Sequence, residues 1–192
     1  MFRNAHGRNN LLSFLALRIR ENSLLPVPTQ SGGMEIIMSK IKTYAKNILI
    51  ALLTGALSAL ISMGDMQSFD ALVKPPLTPP GFLFPIVWTV LYTLMGIGLT
   101  RVQLSDAPKD VILKSTLLYY VQLFFNFFWS IWFFGFNFFL FSFIWLTALL
   151  VFIILMTINF YKADRIAGLL QIPYILWVTF AGYLNFMYFI LN

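Results

Sequence analysis

Apolar residues in this chain come in long, nearly unbroken runs rather than alternating or recurring as a stripe. Five runs can be drawn, at 47–63, 82–103, 112–134, 138–161 and 168–191. Each approaches the ~20 residues that cross ~30 Å of hydrocarbon at ~1.5 Å per residue. The pattern predicts an all-α integral membrane protein, a bundle of five transmembrane helices. The first run is the shortest, so its flanking residues should snorkel. The connections are uneven. Residues 64–81 form a long loop, 101–114 a short charged one, 135–137 a tight turn, and 162–167 a short link carrying Asp164 and Arg165. Short links predict antiparallel neighbours. No internal repeat is visible, which removes the usual support for an inverted-repeat transporter.

Two regions follow from the same pattern. Residues 1–44 read as a basic N-terminal tail and 45–192 as the membrane domain. Within the tail, 1–33 read as an extension outside the fold. A short apolar patch at 11–17 lies between Arg8 and Arg18, with no small-residue cleavage site after it. An Arg-rich transit peptide with the single acid Glu21 is the alternative.

Composition sharpens this picture. The chain is 59% hydrophobic, 18% aromatic and 10% charged, more apolar than a water-soluble domain of 192 residues needs. It has no Cys, and its single His is His6, in the tail. Thiolate chemistry is excluded, and a catalytic His, a His-ligated haem or a zinc site in the bundle lacks its usual ligand. No metal site and no required cofactor are expected. The net charge of +6 lies at the edges. Lys40, Lys42, Lys46, Arg101, Lys109, Lys114, Lys162 and Arg165 fall on the N-terminal side of a five-span topology, and Lys74 on the other. The positive-inside rule then places the N-terminus inside and the 64–81 loop outside. A bacterial cell membrane is expected, with the mitochondrial outer membrane as the alternative. Membrane lipid accounts for the charge, and no nucleic-acid partner is expected.

Deep inside the spans, away from their ends, Asp, Glu, Lys, Arg and His are missing. Coupled transport and acid–base catalysis usually need one there. What remains is aromatic area with a few amides. Gln122, Asn126 and Ser130 are spaced i, i+4, i+8 and share one face of the third span, with Trp129 beside them. Amides avoid lipid and should face inward, either as interhelical glue or as the polar handle of a small-molecule pocket. The second span sets Trp88, Tyr92, Met95 and Leu99 on one face. The fifth does the same with Pro173, Trp177, Ala181 and Asn185, where an inward Pro would bend the helix. In the first span, Gly55-Ala56-Leu57-Ser58-Ala59 permits close approach, within the bundle or against a second copy. Ahead of the second span, Lys74-Pro75-Pro76-Leu77-Thr78-Pro79-Pro80-Gly81 forms a rigid, Thr-capped approach suited to a lid.

These motifs together resemble the TspO/MBR family, the tryptophan-rich sensory proteins and translocator proteins (peripheral benzodiazepine receptors). The matching stretches are residues 70–81 with Trp88, then Asn126-Phe127-Phe128-Trp129-Ser130, then Pro173 to Trp177 and Phe180 to Asn185, in the family's order. The resemblance implies a five-helix bundle, often a homodimer, with a loop-covered pocket that binds porphyrins and benzodiazepine- or isoquinoline-type ligands. It assigns Trp88, Asn126, Trp129, Trp177 and Ala181 to that pocket, with Pro79 and Phe69 from the lid. Tyr92 and Gln122 join them on the shared faces above. Two departures stand out. Many relatives carry an acid in the fourth span, where this chain reads Ile144-Trp145-Leu146-Thr147. No basic residue follows Tyr183, so the sterol motif of the animal proteins is incomplete, although Leu155, Tyr161 and Arg165 satisfy a looser sterol pattern.

The expected function is a membrane receptor or sensor that binds protoporphyrin-type tetrapyrroles and related apolar ligands. One alternative, implied by the resemblance, is light-dependent porphyrin degradation with Trp88 and Trp177 as electron or radical partners. The other is a porphyrin or small-molecule transporter. No acid–base set supports an enzyme.

Overall fold

The computed structural model describes residues 30–62 and 71–192. Phe69, His6 and the tail up to residue 29 lie outside the described residues. The chain divides into two units, Met1–Lys40 and Ile41–Asn192. In the first, the described residues are helical and expose Met34, Ile36 and Ile37.

The helices are α1 (Gln30–Ser62), α2 (Leu83–Gln103), α3 (Lys109–Ser130), α4 (Phe139–Ala163), a short α5 (Arg165–Leu169) and α6 (Ile172–Leu191). Five helical segments are long and apolar enough to cross a membrane, as the five runs predict. α1 begins well before the first apolar run, so part of the stretch read as tail is helical. Residues 34–46 contain no Pro or Gly and are rich in helix formers. Hydropathy omits such a segment because its lysines mask it.

α4 packs along α3 and α6, and α2 against α3 and α5. Leu91, Met95 and Leu99 of α2, Tyr119 and Leu123 of α3, and Leu146, Leu149 and Ile153 of α4 form the centre of the core. Leu49, Leu53 and Leu57 of α1, Leu113 and Leu117 of α3 and Leu176 of α6 point outward, as the lipid side of a bundle requires. α1 closes on α2 through glycine. A Cβ on Gly96 would fall 2.6 Å from Ile48 Cα. Asn47 Nδ2 donates to Thr100 Oγ1 and to Gln103 Oε1, both at 2.9 Å. At the other end Ser58 Oγ donates to the Phe127 carbonyl at 2.5 Å, and the Ser62 and Ser130 hydroxyls meet at 2.9 Å. The small-residue motif of α1 therefore works inside the bundle at Gly55, where a Cβ would overlap the Tyr92 ring, while Ala56 and Ala59 are exposed.

Two breaks set the geometry of the site. α3 widens into a π turn at Ile131–Gly135, and Asn137, at φ 54°, reverses the chain into α4. The fifth run is divided rather than bent. Pro173 sits in the first turn of α6, where its missing N–H costs nothing, and it is exposed. Before it, Asp164 caps α5 by accepting the Ala167 N–H at 2.7 Å. The same carboxylate takes a two-pronged grip from Arg101, with Nε to Oδ1 at 2.9 Å and Nη2 to Oδ2 at 2.8 Å. Those Arg101 hydrogen bonds hold the Asp164 carboxyl below its ordinary range, aided by the Ala167 N–H and opposed by its partial burial.

Candidate aromatic and amide site

The inner faces of α2, α3 and α6 meet in a chain of buried polar groups. The Tyr92 hydroxyl donates to Asn126 Oδ1 at 2.7 Å, and Asn126 Nδ2 donates to the Tyr174 hydroxyl at 2.7 Å. The Tyr174 hydroxyl donates in turn to Gln122 Oε1 at 2.8 Å, and Gln122 Nε2 points at Met95 Sδ, 3.5 Å away. Gln122 and Asn126 thus face inward as their spacing requires, and Ser130, the third member of the stripe, turns to α1. Both ends of the Asn126 amide are engaged by protein. The expectation that Asn126 offers a hydrogen bond to a ligand is thereby narrowed: the amide is buried, and one N–H and one lone pair are already committed to tyrosines.

Indole and phenyl rings gather above this chain. Trp88 lies 5.3 Å from Tyr92, 5.9 Å from Trp129 and 6.1 Å from Tyr174, centroid to centroid. Trp129 is oriented by its Nε1, which donates to Asn185 Oδ1 at 3.1 Å, and it stacks on Phe133. Asn185 Nδ2 is held by the Ala181 carbonyl at 2.8 Å. Trp88, Tyr92, Asn126, Trp129 and Ala181 are therefore brought into one neighbourhood.

Trp177 stands apart, on the α2–α6 flank. It meets the edge of Phe84 at 5.8 Å, and its Nε1 is buried without a hydrogen-bond partner. It also lines a groove of about 460 Å³ with Ile86, Val87 and Val90 of α2 and Pro173 and Leu176 of α6. The shared face drawn through Pro173, Trp177, Ala181 and Asn185 in fact rotates, from exposed Pro173 to buried Asn185. Steps of four residues in a helix of ~3.6 residues per turn advance by ~40° each, which carries the row from the flank into the core.

The proline loop is pinned at several points. Pro75 is buried, and Leu72 packs on the core. The Thr78 N–H and Oγ1 both donate to the Pro75 carbonyl, at 3.3 and 2.7 Å, closing a turn with Pro76 and Leu77 at its corner. Leu77 adopts φ 66°, a left-handed position usually given to glycine in such a turn. Thr78 therefore closes the loop and does not cap α2, whose N-cap Phe82 makes no side-chain bond. Asn192 Oδ1 accepts the Val73 N–H at 2.9 Å while its Nδ2 donates to the Val73 carbonyl at 3.2 Å. The Tyr183 hydroxyl donates to the Pro76 carbonyl at 3.3 Å. Pro79 is half-buried in this loop.

Tyr174 and Phe84 escaped the sequence reading. Tyr174 lies three residues before Trp177, within an apolar run. A Tyr placed there must find a partner for its hydroxyl, and that was the available signal.

The fold and site define a multi-pass membrane protein, a tryptophan-rich helical bundle with a proline loop pinned to it. Residues 47–191 match the TspO/MBR family, and the chain belongs to it. It is 39% identical to the tryptophan-rich protein TspO of Chlorobaculum tepidum over 124 residues, covering 65% of this chain and 78% of that protein. It is 37% identical to the TspO of Archaeoglobus fulgidus over 147 residues, 76% of this chain and 94% of the relative. The translocator protein of Bos taurus is 28% identical over 141 residues, 72% of this chain and 83% of that one.

Proposed function

We propose that this chain is a membrane receptor for flat, apolar tetrapyrroles of the porphyrin type, taken up against indole rings between α2 and α6 beneath the pinned proline loop. One observation carries the reading. Trp177 lines a groove of about 460 Å³ between α2 and α6. That volume is within the ~300–1,000 Å³ of small-molecule sites, whose walls are mostly apolar. A planar macrocycle gains stacking area on the Trp177 ring. Tyr92, Gln122 and Asn126 act behind this surface. Their hydrogen bonds hold the Tyr92 and Tyr174 rings against which Trp88 packs, and Asn185 orients Trp129, so these rings are set before a ligand arrives.

The chain's single His lies in the tail and it has no Cys, so axial iron ligation would fall to a Tyr or Met. Titration of the purified protein with metal-free protoporphyrin and with haem, followed by tryptophan quenching, tests the reading. Metal-free porphyrin is expected to bind at least as tightly as haem. Binding of haem alone, or of neither, contradicts it.

A further inference from the structure

The groove at Trp177 has a buried floor and an open rim. Leu91 lies at the floor and is 2% exposed. Ile86 and Val90 of α2 and Leu176 of α6 line the same groove, yet they are 55%, 53% and 65% exposed on the outer surface of the bundle. The groove therefore opens sideways, between two helices. Its lining falls at residues 86–91 of α2 and 173–180 of α6, inside two segments long and apolar enough to cross a membrane. Exposed hydrocarbon side chains on such segments face acyl chains.

The proline loop is fastened elsewhere. None of its described residues, 71–81, lines the groove. It is tied to the far end of α6, where the Tyr183 hydroxyl reaches the Pro76 carbonyl and Asn192 pairs with Val73. Tyr183 stands six residues beyond Trp177, about 9 Å along the helix, and Asn192 fifteen, about 22 Å. A ligand arriving from the water above must break these bonds to pass the loop. One arriving from the side displaces only lipid tails, because Ile86, Val90 and Leu176 have no side-chain hydrogen bonds to lose. A flat, apolar macrocycle is also more concentrated in hydrocarbon than in water, by the same transfer free energy that buries apolar side chains.

We propose that the groove loads laterally. An apolar tetrapyrrole dissolved in the bilayer enters between α2 and α6, past Ile86, Val90 and Leu176, while the proline loop stays latched to α6. This route presupposes the porphyrin reading of the groove and adds to it the phase that supplies the ligand.

The latch can be made permanent, since the chain has no Cys of its own. The full-length double variant Val73→Cys, Asn192→Cys is reconstituted in phosphatidylcholine vesicles and joined by a short bis-maleimide. Uptake of metal-free protoporphyrin is followed by stopped-flow tryptophan quenching. The cross-linked protein is expected to associate within about twofold of the rate of the same variant before cross-linking, whereas a route through the loop would slow by about tenfold or more and overturn the proposal. A second variant tests the mouth. Leu176→Cys capped with a bulky maleimide is expected to slow association and release together by about tenfold, and unchanged association would overturn lateral entry. The native chain in the same vesicles separates the two ideas. If it binds porphyrin but the locked loop stops uptake, the route fails and the porphyrin reading stands. If it binds no porphyrin, both fail.

Discussion

Asn126 joins three helices through one side chain. Its amide accepts from Tyr92 on α2 and donates to Tyr174 on α6, and all three side chains are buried. Asn126→Leu is expected to cost about 2 kcal/mol, since hydrogen bonds within membranes are individually modest but orphaned hydroxyls are not. Thermal unfolding in detergent measures this, and adding Tyr92→Phe and Tyr174→Phe should recover part of the loss. The inward direction of Gln122 and Asn126 was legible from their spacing, because no helix turns two amides to lipid without penalty. That Tyr174 would span the gap was not legible, since nothing in a linear sequence reports which residue of a neighbouring helix faces a given amide. Leu77 makes a separate point at this scale. Its left-handed backbone carries a penalty of about 1 kcal/mol that glycine lacks, partly offset by glycine's greater freedom when unfolded. Leu77→Gly should therefore stabilise the loop slightly, read as slower exchange of the Thr78 amide hydrogen.

Among elements, the proline loop and the α4–α5 link are each fastened by side chains from distant parts of the chain. Asn192 pairs with both the N–H and the carbonyl of Val73, much as a neighbouring strand would. Asn192→Ala should leave the bundle intact and raise proteolytic cleavage within 71–80 several-fold. At the opposite link, Arg101 holds Asp164, whose carboxyl stays ionised to lower pH than a free aspartate. A depressed folded-state value gives stability that is present above the unfolded value of about 4 and lost as pH falls through the folded one. The pair is partly exposed, so the effect is of the order of 0.5–1 kcal/mol. Unfolding curves between pH 6 and pH 3 should show it in the native chain and not in Asp164→Asn. The helices themselves were legible from length and hydropathy, whereas the division of the fifth run was not. Gly168 and Pro173 mark the break in hindsight, yet an apolar run of that length fits one straight span equally well.

At the scale of the whole molecule, five spans form one bundle with an aromatic interior, and family membership follows from residues 47–191. Close packing of α1 depends on glycine. A Cβ at Gly96 meets the backbone of Ile48, which cannot move aside, so Gly96→Ala should cost about 1–3 kcal/mol. The bundle carries two tryptophan clusters. One contains Trp88, Trp129 and, on its flank, Trp177. The other sets Trp132 and Trp145 among Phe128 and Phe141. Sequence alone ranks the two by resemblance only. Structure separates them by the groove that opens at Trp177, since Trp132 and Trp177 both bury an unpartnered Nε1. The most direct measurement is the dissociation constant for metal-free protoporphyrin in Trp177→Ala and Trp132→Ala beside the native chain. Loss of a stacked indole is worth about tenfold, so Trp177→Ala should weaken binding by that factor while Trp132→Ala binds as the native chain does. Unchanged affinity in Trp177→Ala, or loss confined to Trp132→Ala, would contradict the account.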